Sequence, residues 1–370
     1  MTAIYALPDH EVVADLLPNI RGRQLGDAAA LARVEAAPGV VPVAIDHQAG
    51  QVYWADLGNH PFREWQFLFT VEKLARENAI ADAFASSTAL LADGRIAAPG
   101  LAPQGFIFHV SRCGSTLLGK AIARLDENVV INQGGPLQRG FWAMATDDWR
   151  RPLQPSAENL EMFRNLVLAM TRPRAPGQRR AFIKFISWNA LYIDFVMRAF
   201  PGVPCLFLYR DPVEVIASVF KETTAALVAK GSLEADFLAD CAPGNSAAMS
   251  DVEYLAHCYA HYFRTALALD KPGLHHLNYT AIKRENLATI LSQGLAYVPE
   301  GADLDAMAEQ FRFHSKDDSD KQAFRADSAE KQAALTPDAR RQVEEICGDL
   351  VEKLDKSSRN LFAAQALSVD

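Results

Sequence analysis

The 370-residue chain has no excess of basic residues, no long apolar run and only five cysteines, and each shortage removes a class of function. Lysine and arginine number 37 against 45 aspartates and glutamates, a formal net charge of −8. Nucleic-acid binders draw most of their affinity from clustered Lys and Arg, so no extended nucleic-acid surface is expected. No apolar stretch approaches the roughly 20 residues that span a bilayer. The opening MTAIYALPDHEVVADLL lacks a basic region followed by an apolar signal segment. The expectation is a cytoplasmic protein without membrane contact. Cys113, Cys205, Cys241, Cys258 and Cys347 are odd in number, scattered and without zinc-ligand spacing, which argues against a disulfide framework. His257 and His261 stand one helical turn apart, but there is no H-E-x-x-H arrangement and no obvious third ligand. They read as packed within an aromatic helix, and no metal is expected. No internal repeat or heptad run is present.

What the chain does have is 49% hydrophobic residues, enough for a large core, and two strand-loop-helix junctions rich in anion-binding residue types. The first is FIFHVSRCGSTLL at 106–118. Phe106, Ile107, Phe108 and Val110 form an apolar run of strand length, and Leu117, Leu118, Ala121, Ile122 and Leu125 recur at helical spacing. A helix opening after Gly114 aims its unpaired amides and positive dipole end at whatever lies over the turn. Arg112, Ser115 and Thr116 add charge and hydroxyl donors.

The second junction is CLFLYRDPVEVIAS at 205–218. A strand ends at Tyr209, and Asp211, Pro212 and Glu214 suit the N-cap, first and third positions of a helix, in the manner of a capping box. Ser218 lies about 9 Å further along at roughly 1.5 Å per residue, within reach of a phosphate also held by Arg210.

Together these segments resemble the sulfotransferase superfamily, whose members use 3′-phosphoadenosine 5′-phosphosulfate, and in particular bacterial sulfotransferase-family proteins. SRCGST looks like the family's 5′-phosphosulfate loop, which implies contacts from Arg112, Cys113, Gly114, Ser115, Thr116 and Leu117. RDPVEVIAS looks like its 3′-phosphate motif, implying Arg210 and Ser218. FIKF at 182–185 resembles the strand that carries a lysine near the transferred group and nominates Lys184. HLNYTAI at 276–282 looks like the family's later strand and tyrosine. His314 to Lys331, with Phe324, Asp327 and Lys331, resembles the late loop that closes over the nucleotide. The resemblance spans about residues 104 to 350. It implies sulfuryl transfer from that co-substrate, without a metal, to a small-molecule or peptide hydroxyl or amine.

One position departs from the pattern. By this alignment Gln133, in NVVINQGGP, stands where related enzymes carry a catalytic glutamate. A glutamine amide orients an acceptor but cannot take its proton near neutral pH. Three explanations stay open: another base, an acceptor that needs little base help, or a chain that binds nucleotide without turnover. His314 is one candidate base; Asp126 and Glu127 read as solvated surface. Ser115, Lys184 and Gln133 are the catalytic candidates. Gly114 to Lys120 also reads G-x-x-x-x-G-K, but Ala121 stands where a Mg²⁺-holding hydroxyl is needed, so an ATP-dependent kinase or NTPase is the runner-up.

The fold class expected is α/β: a P-loop-like, mainly parallel sheet flanked by helices, with strands near 106–110, 129–132, 182–186, 205–209 and 275–279 and a small α+β N-terminal region. APGLAPQG at 98–105 suggests a join between residues 1–98, of unknown role, and a transferase-like domain at 104–370. VPVAI at 41–45 and QVYWA at 51–55 read as a hairpin, and 62–78 as a helix. Tyr53, Trp54, Trp65 and Phe67 read as core, with a peptide-recognition role as the alternative. RPRAPGQRR at 172–180 reads as a solvated connection, and the polar stretch 230–250 as either a lid or a plain surface loop. Pro337 to Leu354 reads as a surface helix with Val343, Ile346, Leu350 and Leu354 inward.

Overall fold

Five short apolar runs form the parallel sheet that the sequence predicts. A computed structural model describes residues 8–316, 319, 322, 331 and 334–363. The strands are β4 (Pro103–His109), β5 (Asn128–Asn132), β6 (Arg180–Lys184), β7 (Cys205–Tyr209) and β8 (Leu274–Asn278), in the order β5-β6-β4-β7-β8. Every neighbouring pair is parallel. Their residues are buried at nearly every position, as expected of strands covered on both faces and therefore written as continuous apolar runs.

A second sheet is antiparallel, in the order β1 (Val40–Asp46), β2 (Gln51–Asp56), β3 (Ala83–Ser87). The first two strands are the expected hairpin. The third, AFASS, has little β-branched or aromatic character, which is why its sequence gives weak strand signal.

The helices that matter for the site are α1 (Asp9–Leu16), α2 (Asp27–Ala36), α3 (Phe67–Arg76), α4 (Ser115–Ala123), α5 (Ala157–Met170), α6 (Pro212–Lys221), α7 (Asp251–Ala268), α8 (Gly301–Ala308) and α9 (Pro337–Asp355). α3 starts at Phe67, so residues 62–66 fall outside the helix expected over 62–78. α9 has Pro337 in its first turn and Thr336 capping Ala339 N–H. Its inward residues are Val343, Cys347 and Leu354, with Ile346 and Leu350 half-buried: the stripe is rotated slightly from the expected one, and Cys347 Sγ donates to Ala256 O of α7 at 3.2 Å. α7 opens with a capping box between Ser250 and Glu253. His261 of α7 lies 3.3 Å from Leu238 O and edge-on to Phe237, the packing role expected of it.

The two sheets share one continuous apolar core. Here one sequence expectation needs correcting. The segment 172–180 is not a solvated connection at its start: Arg172 and Arg174 are buried. Arg172 donates to Ala37 O and Val40 O, and Arg174 donates to His60 O at 2.9 Å while its guanidinium lies 3.5 Å from the Phe62 ring centre. The prolines and glycine do mark a turn, but both guanidinium groups turn inward to main-chain carbonyls of Ala37, Val40 and His60.

Candidate active site

The carboxyl ends of all five parallel strands open onto a single cavity of about 550 Å³. At the centre is the loop after β4. Ser111, Arg112 and Gly114 have φ of +77°, +50° and +80°, so this stretch runs largely through the left-handed region. Main-chain N–H groups in such a run can converge as an anion-binding nest. For Ser111 and Arg112 the conformation costs about 1–3 kcal/mol each unless the surroundings enforce it. They do: Ser111 N–H donates to His109 Nδ1 at 2.9 Å, and the other ring nitrogen of His109 donates to Phe185 O at 2.9 Å. Both ring nitrogens are thus committed and the imidazole is neutral. Burial and the nearby Lys184 charge hold its pKa well below the ordinary value. Gly114 cannot be replaced without strain, because at its φ of +80° a Cβ would also lie 2.9 Å from Ile282 Cδ1 and 3.2 Å from the Tyr279 ring. α4 starts at Ser115 with Gly114 as its N-cap, as the sequence implies. Cys113 is buried, its thiol donating to Leu208 O, and burial pushes its pKa up to about 11. Among its groups the amide, not a thiolate, is what it offers the site.

The neighbouring β7 delivers Arg210. Asp211 caps Val213 N–H at 2.8 Å and Pro212 is the first residue of α6, as expected. Glu214, expected to complete a capping box, reaches Arg210 instead, with Oε2 2.6 Å from Nε. Arg210 also donates to Arg112 O at 3.1 Å and lies 4.0 Å over the Tyr279 ring, which follows β8. One guanidinium thereby links the ends of β4, β7 and β8.

On the other side of β4, Gln133 directly follows β5; its N–H donates to Lys184 O at 2.6 Å and its Oε1 accepts from Gln66 Nε2 at 2.6 Å. Lys184 ends β6. It is fully buried, and its Nζ has no hydrogen-bond partner among the described residues. Burial pushes its pKa down to about 7; the Cys113 thiol opposes this and Lys316 adds to it.

The cavity lining brings together Arg112, Cys113, Gly114, Ser115, Thr116 and Leu117 of the first motif. It also includes Arg210 and Ser218 of the second, with Gln133, Lys331 and His314. Lys184 is not part of the lining; it lies beneath the loop, within electrostatic reach of His109 and Cys113. Phe324 and Asp327 lie outside the described residues. The stretch 230–250 does not line the cavity, whereas 221–226 does, so the polar segment expected as a possible lid stands away from it. Asp126 is solvent-exposed as expected, but Glu127 is largely covered and pairs with Arg179 and Arg180. Gly119 and Lys120 lie inside α4, outside the lining. Gly119 is where α4 meets β5, since a Cβ there would fall 2.3 Å from Asn132 Oδ1. The ATP-type reading of G-x-x-x-x-G-K thereby loses its phosphate-facing lysine.

Of the aromatics read as core with a recognition role as the alternative, Trp65 alone lines the cavity, while Tyr53, Trp54 and Phe67 are core; sequence reasoning did not find Gln66, His109, Glu222 or Lys316, which also line it. Glu222 accepts from Arg112 Nη1 at 2.7 Å and from Lys316 Nζ at 2.6 Å, and Lys316 Nζ also stands 4.9 Å from the Trp65 ring. Burial, with the Arg112 charge, pushes the Lys316 pKa down to about 8.

Neither a family model nor a curated protein sequence matches the chain. Its structural neighbours are bacterial sulfotransferases. A sulfotransferase from Mycobacterium avium superposes with a TM-score of 0.41 at 11% identity, covering 71% of this chain and 79% of that one. The sulfotransferase domain from the curacin biosynthetic pathway superposes with a TM-score of 0.38 at 14% identity, covering 68% of this chain and 98% of that one. Among the described residues no helix is long and apolar enough to cross a membrane, and no group of three or more His, Cys, Asp or Glu could hold a metal ion.

Proposed function

We propose that the chain is a sulfotransferase that moves a sulfuryl group from 3′-phosphoadenosine 5′-phosphosulfate to a hydroxyl or amine acceptor. One observation carries this reading: SRCGST and RDPVEVIAS, two motifs about 100 residues apart that resemble the two phosphate-binding elements of one family, line the same cavity from adjacent parallel strands. Two sets of anion-binding donors at one cavity suit a ribose that carries phosphate groups on both its 3′ and 5′ oxygens. The Walker-like lysine, Lys120, is not among the residues that line the cavity.

In this reading the 113–117 amides and the Ser115 and Thr116 hydroxyls hold the 5′-phosphosulfate, Arg210 and Ser218 hold the 3′-phosphate, and Lys331 covers the nucleotide. Sulfuryl transfer resembles phosphoryl transfer: in-line displacement, with charge growing on the bridging oxygen that leaves. The task of the protein is to place fixed donors where that charge appears. Losing one such donor typically costs about 2.7–4 kcal/mol of barrier. Lys184, buried without a partner, is the cation in reserve beneath the loop, and an arriving anion raises its affinity for a proton. The acceptor is a small molecule or a peptide.

The test is calorimetry with adenosine 3′,5′-bisphosphate and with ATP, each with and without Mg²⁺, followed by transfer from the sulfur-labelled co-substrate. Metal-independent uptake of the bisphosphate is expected. Tight Mg²⁺-dependent ATP uptake instead would overturn the reading.

A further inference from the structure

The transfer reading leaves open which group handles the acceptor's proton, and the cavity gives an answer that rests on that reading. Glu222 is the one carboxylate in the described lining, and both its oxygens are engaged by Arg112 and Lys316. His109 has both ring nitrogens committed, to Ser111 N–H and Phe185 O. His314 receives the Lys316 N–H on Nδ1 at 3.4 Å, which leaves the proton of the neutral ring on Nε2, a donor. Lys184 is outside the lining.

That leaves Gln133. Its oxygen is fixed: Gln66, from the N-terminal region, donates Nε2 to Oε1 at 2.6 Å, and the two side chains are only 3% and 7% exposed. With Oε1 turned to Gln66, the Nε2 end of the same planar amide is turned away from it, so Gln133 keeps two N–H donors and one oxygen lone pair for other partners. A donor aimed at an acceptor oxygen cannot remove that oxygen's proton, but it stabilises an oxygen that is already negative. The lining also includes Trp65, Ile186 and Ser187, and the Lys316 ammonium stands 4.9 Å from the Trp65 ring, a cation on this side of the cavity that also favours a negative oxygen.

We propose that Gln66 is a positioning residue that sets Gln133 as a hydrogen-bond donor, and that the enzyme accordingly selects acceptors whose hydroxyl ionises on its own, phenols in preference to alkyl alcohols. The phenol loses its proton to solvent before transfer. A lone pair of the phenolate oxygen then forms the new O–S bond as the S–O bond to the 5′-phosphate breaks. The electron pair of that bond leaves on the phosphate of adenosine 3′,5′-bisphosphate.

The full chain is assayed with labelled co-substrate against 4-nitrophenol, phenol and cyclohexanol across pH 6 to 9, with bisphosphate binding measured on the same preparation. Transfer should follow the ionised fraction of each phenol, with cyclohexanol slower by about 100-fold or more, the scale of a missing general base. Gln66→Glu replaces the donor by an acceptor, so Gln133 must turn its N–H groups toward position 66 and present its oxygen. The expected result is a loss of about tenfold or more in kcat for 4-nitrophenol, the scale of one misdirected hydrogen bond, with bisphosphate affinity unchanged within about twofold. Gln66→Met, which keeps the volume and lacks both roles, should fall between the two, and Gln133→Glu should gain turnover of cyclohexanol. Equal rates for phenols and cyclohexanol, no turnover of any phenol while bisphosphate binds, or an unchanged acceptor pH profile in Gln66→Glu would each overturn the proposal. Failure of bisphosphate to bind would instead remove the transfer reading beneath it.

Discussion

Glu222 holds two of the cavity's cations at once, Arg112 Nη1 at 2.7 Å from one carboxylate oxygen and Lys316 Nζ at 2.6 Å from the other. Burial would raise its pKa, but the Lys316 hydrogen bond and the Arg112 charge outweigh burial and hold it below the ordinary value. The carboxylate therefore competes with any anionic ligand that needs those same cations. Glu222→Gln is expected to tighten adenosine 3′,5′-bisphosphate binding by roughly three- to tenfold, the scale of one or two partly solvated ion pairs. Calorimetry at two salt concentrations checks this. Weaker binding in the variant would mean that Glu222 orients Arg112 for the ligand rather than competing with it.

Lys184 gives a pH signature. Burial lowers its pKa to about 7 in the folded chain, below the ordinary 10.5 of the unfolded one. Between those values the unfolded chain binds more protons, so this group makes folding more favourable as pH rises from about 7 toward 10. From pH 6 to pH 9 the gain should be about 3 kcal/mol, at 1.36 kcal/mol per pKa unit. Lys184→Met should flatten that rise in urea unfolding curves, retain bisphosphate binding and lose transfer. An unchanged slope in the variant would place the titration on another group; unchanged transfer would remove Lys184 from the chemistry.

How much of this was legible beforehand follows from where each signal originates. Strands β4 to β7 could be read because strands buried on both faces are written around apolar runs, whereas β8, LHHLN, was legible only through the resemblance that HLNYTAI carries. Gly114 and the Asp211-Pro212 pair were legible for a local reason: a positive φ and a helix start each demand particular residue types. Gln66 carries no such mark. It meets Gln133 across 67 residues of chain, and residues 62–66 continue an aromatic pattern that looks helical although the helix starts later. Glu222 is unremarkable one residue past the end of α6, and only the folding of the segment around Lys316 makes it a partner. Arg172 and Arg174 were misread because turn-forming neighbours say nothing about the distant main-chain carbonyls their guanidinium groups reach.

In the proposed function Arg210 serves both stability and ligand binding, and the two roles can be separated. It is buried with Glu214, whose Oε2 lies 2.6 Å from Nε. Arg210→Ala leaves the buried Glu214 carboxylate without that guanidinium, a loss of about 3–5 kcal/mol for one-sided removal of a buried pair. Adding Glu214→Gln removes the stranded charge and should recover much of the stability. It should not recover bisphosphate binding, because the guanidinium proposed to receive the 3′-phosphate is still missing. Chemical denaturation and calorimetry on the single and double variants decide the matter: recovery of both properties would make Arg210 a purely structural residue.

Arg174 tests whether the N-terminal region shapes the acceptor end of the cavity. Its guanidinium donates to His60 O and covers the Phe62 ring, anchoring the strip that leads directly to Trp65 and Gln66. Burial pushes its pKa down to about 9, and its Nε and Nη2 are buried with no hydrogen-bond partner among the described residues, so the charge itself is held at a cost. Arg174→Met keeps most of the packing over Phe62 and removes the buried charge, so its stability should stay within about 1 kcal/mol of the parent. Arg174→Ala also opens a cavity and should lose about 2–4 kcal/mol. In both variants the strip loses its anchor at His60 O, so the acceptor KM should rise several-fold while bisphosphate affinity, set by the β4 and β7 loops, stays constant. Equal losses in acceptor and bisphosphate binding would show that Arg174 supports the whole cavity. Unchanged acceptor KM in the well-folded Met variant would show that Trp65 and Gln66 hold their places without it.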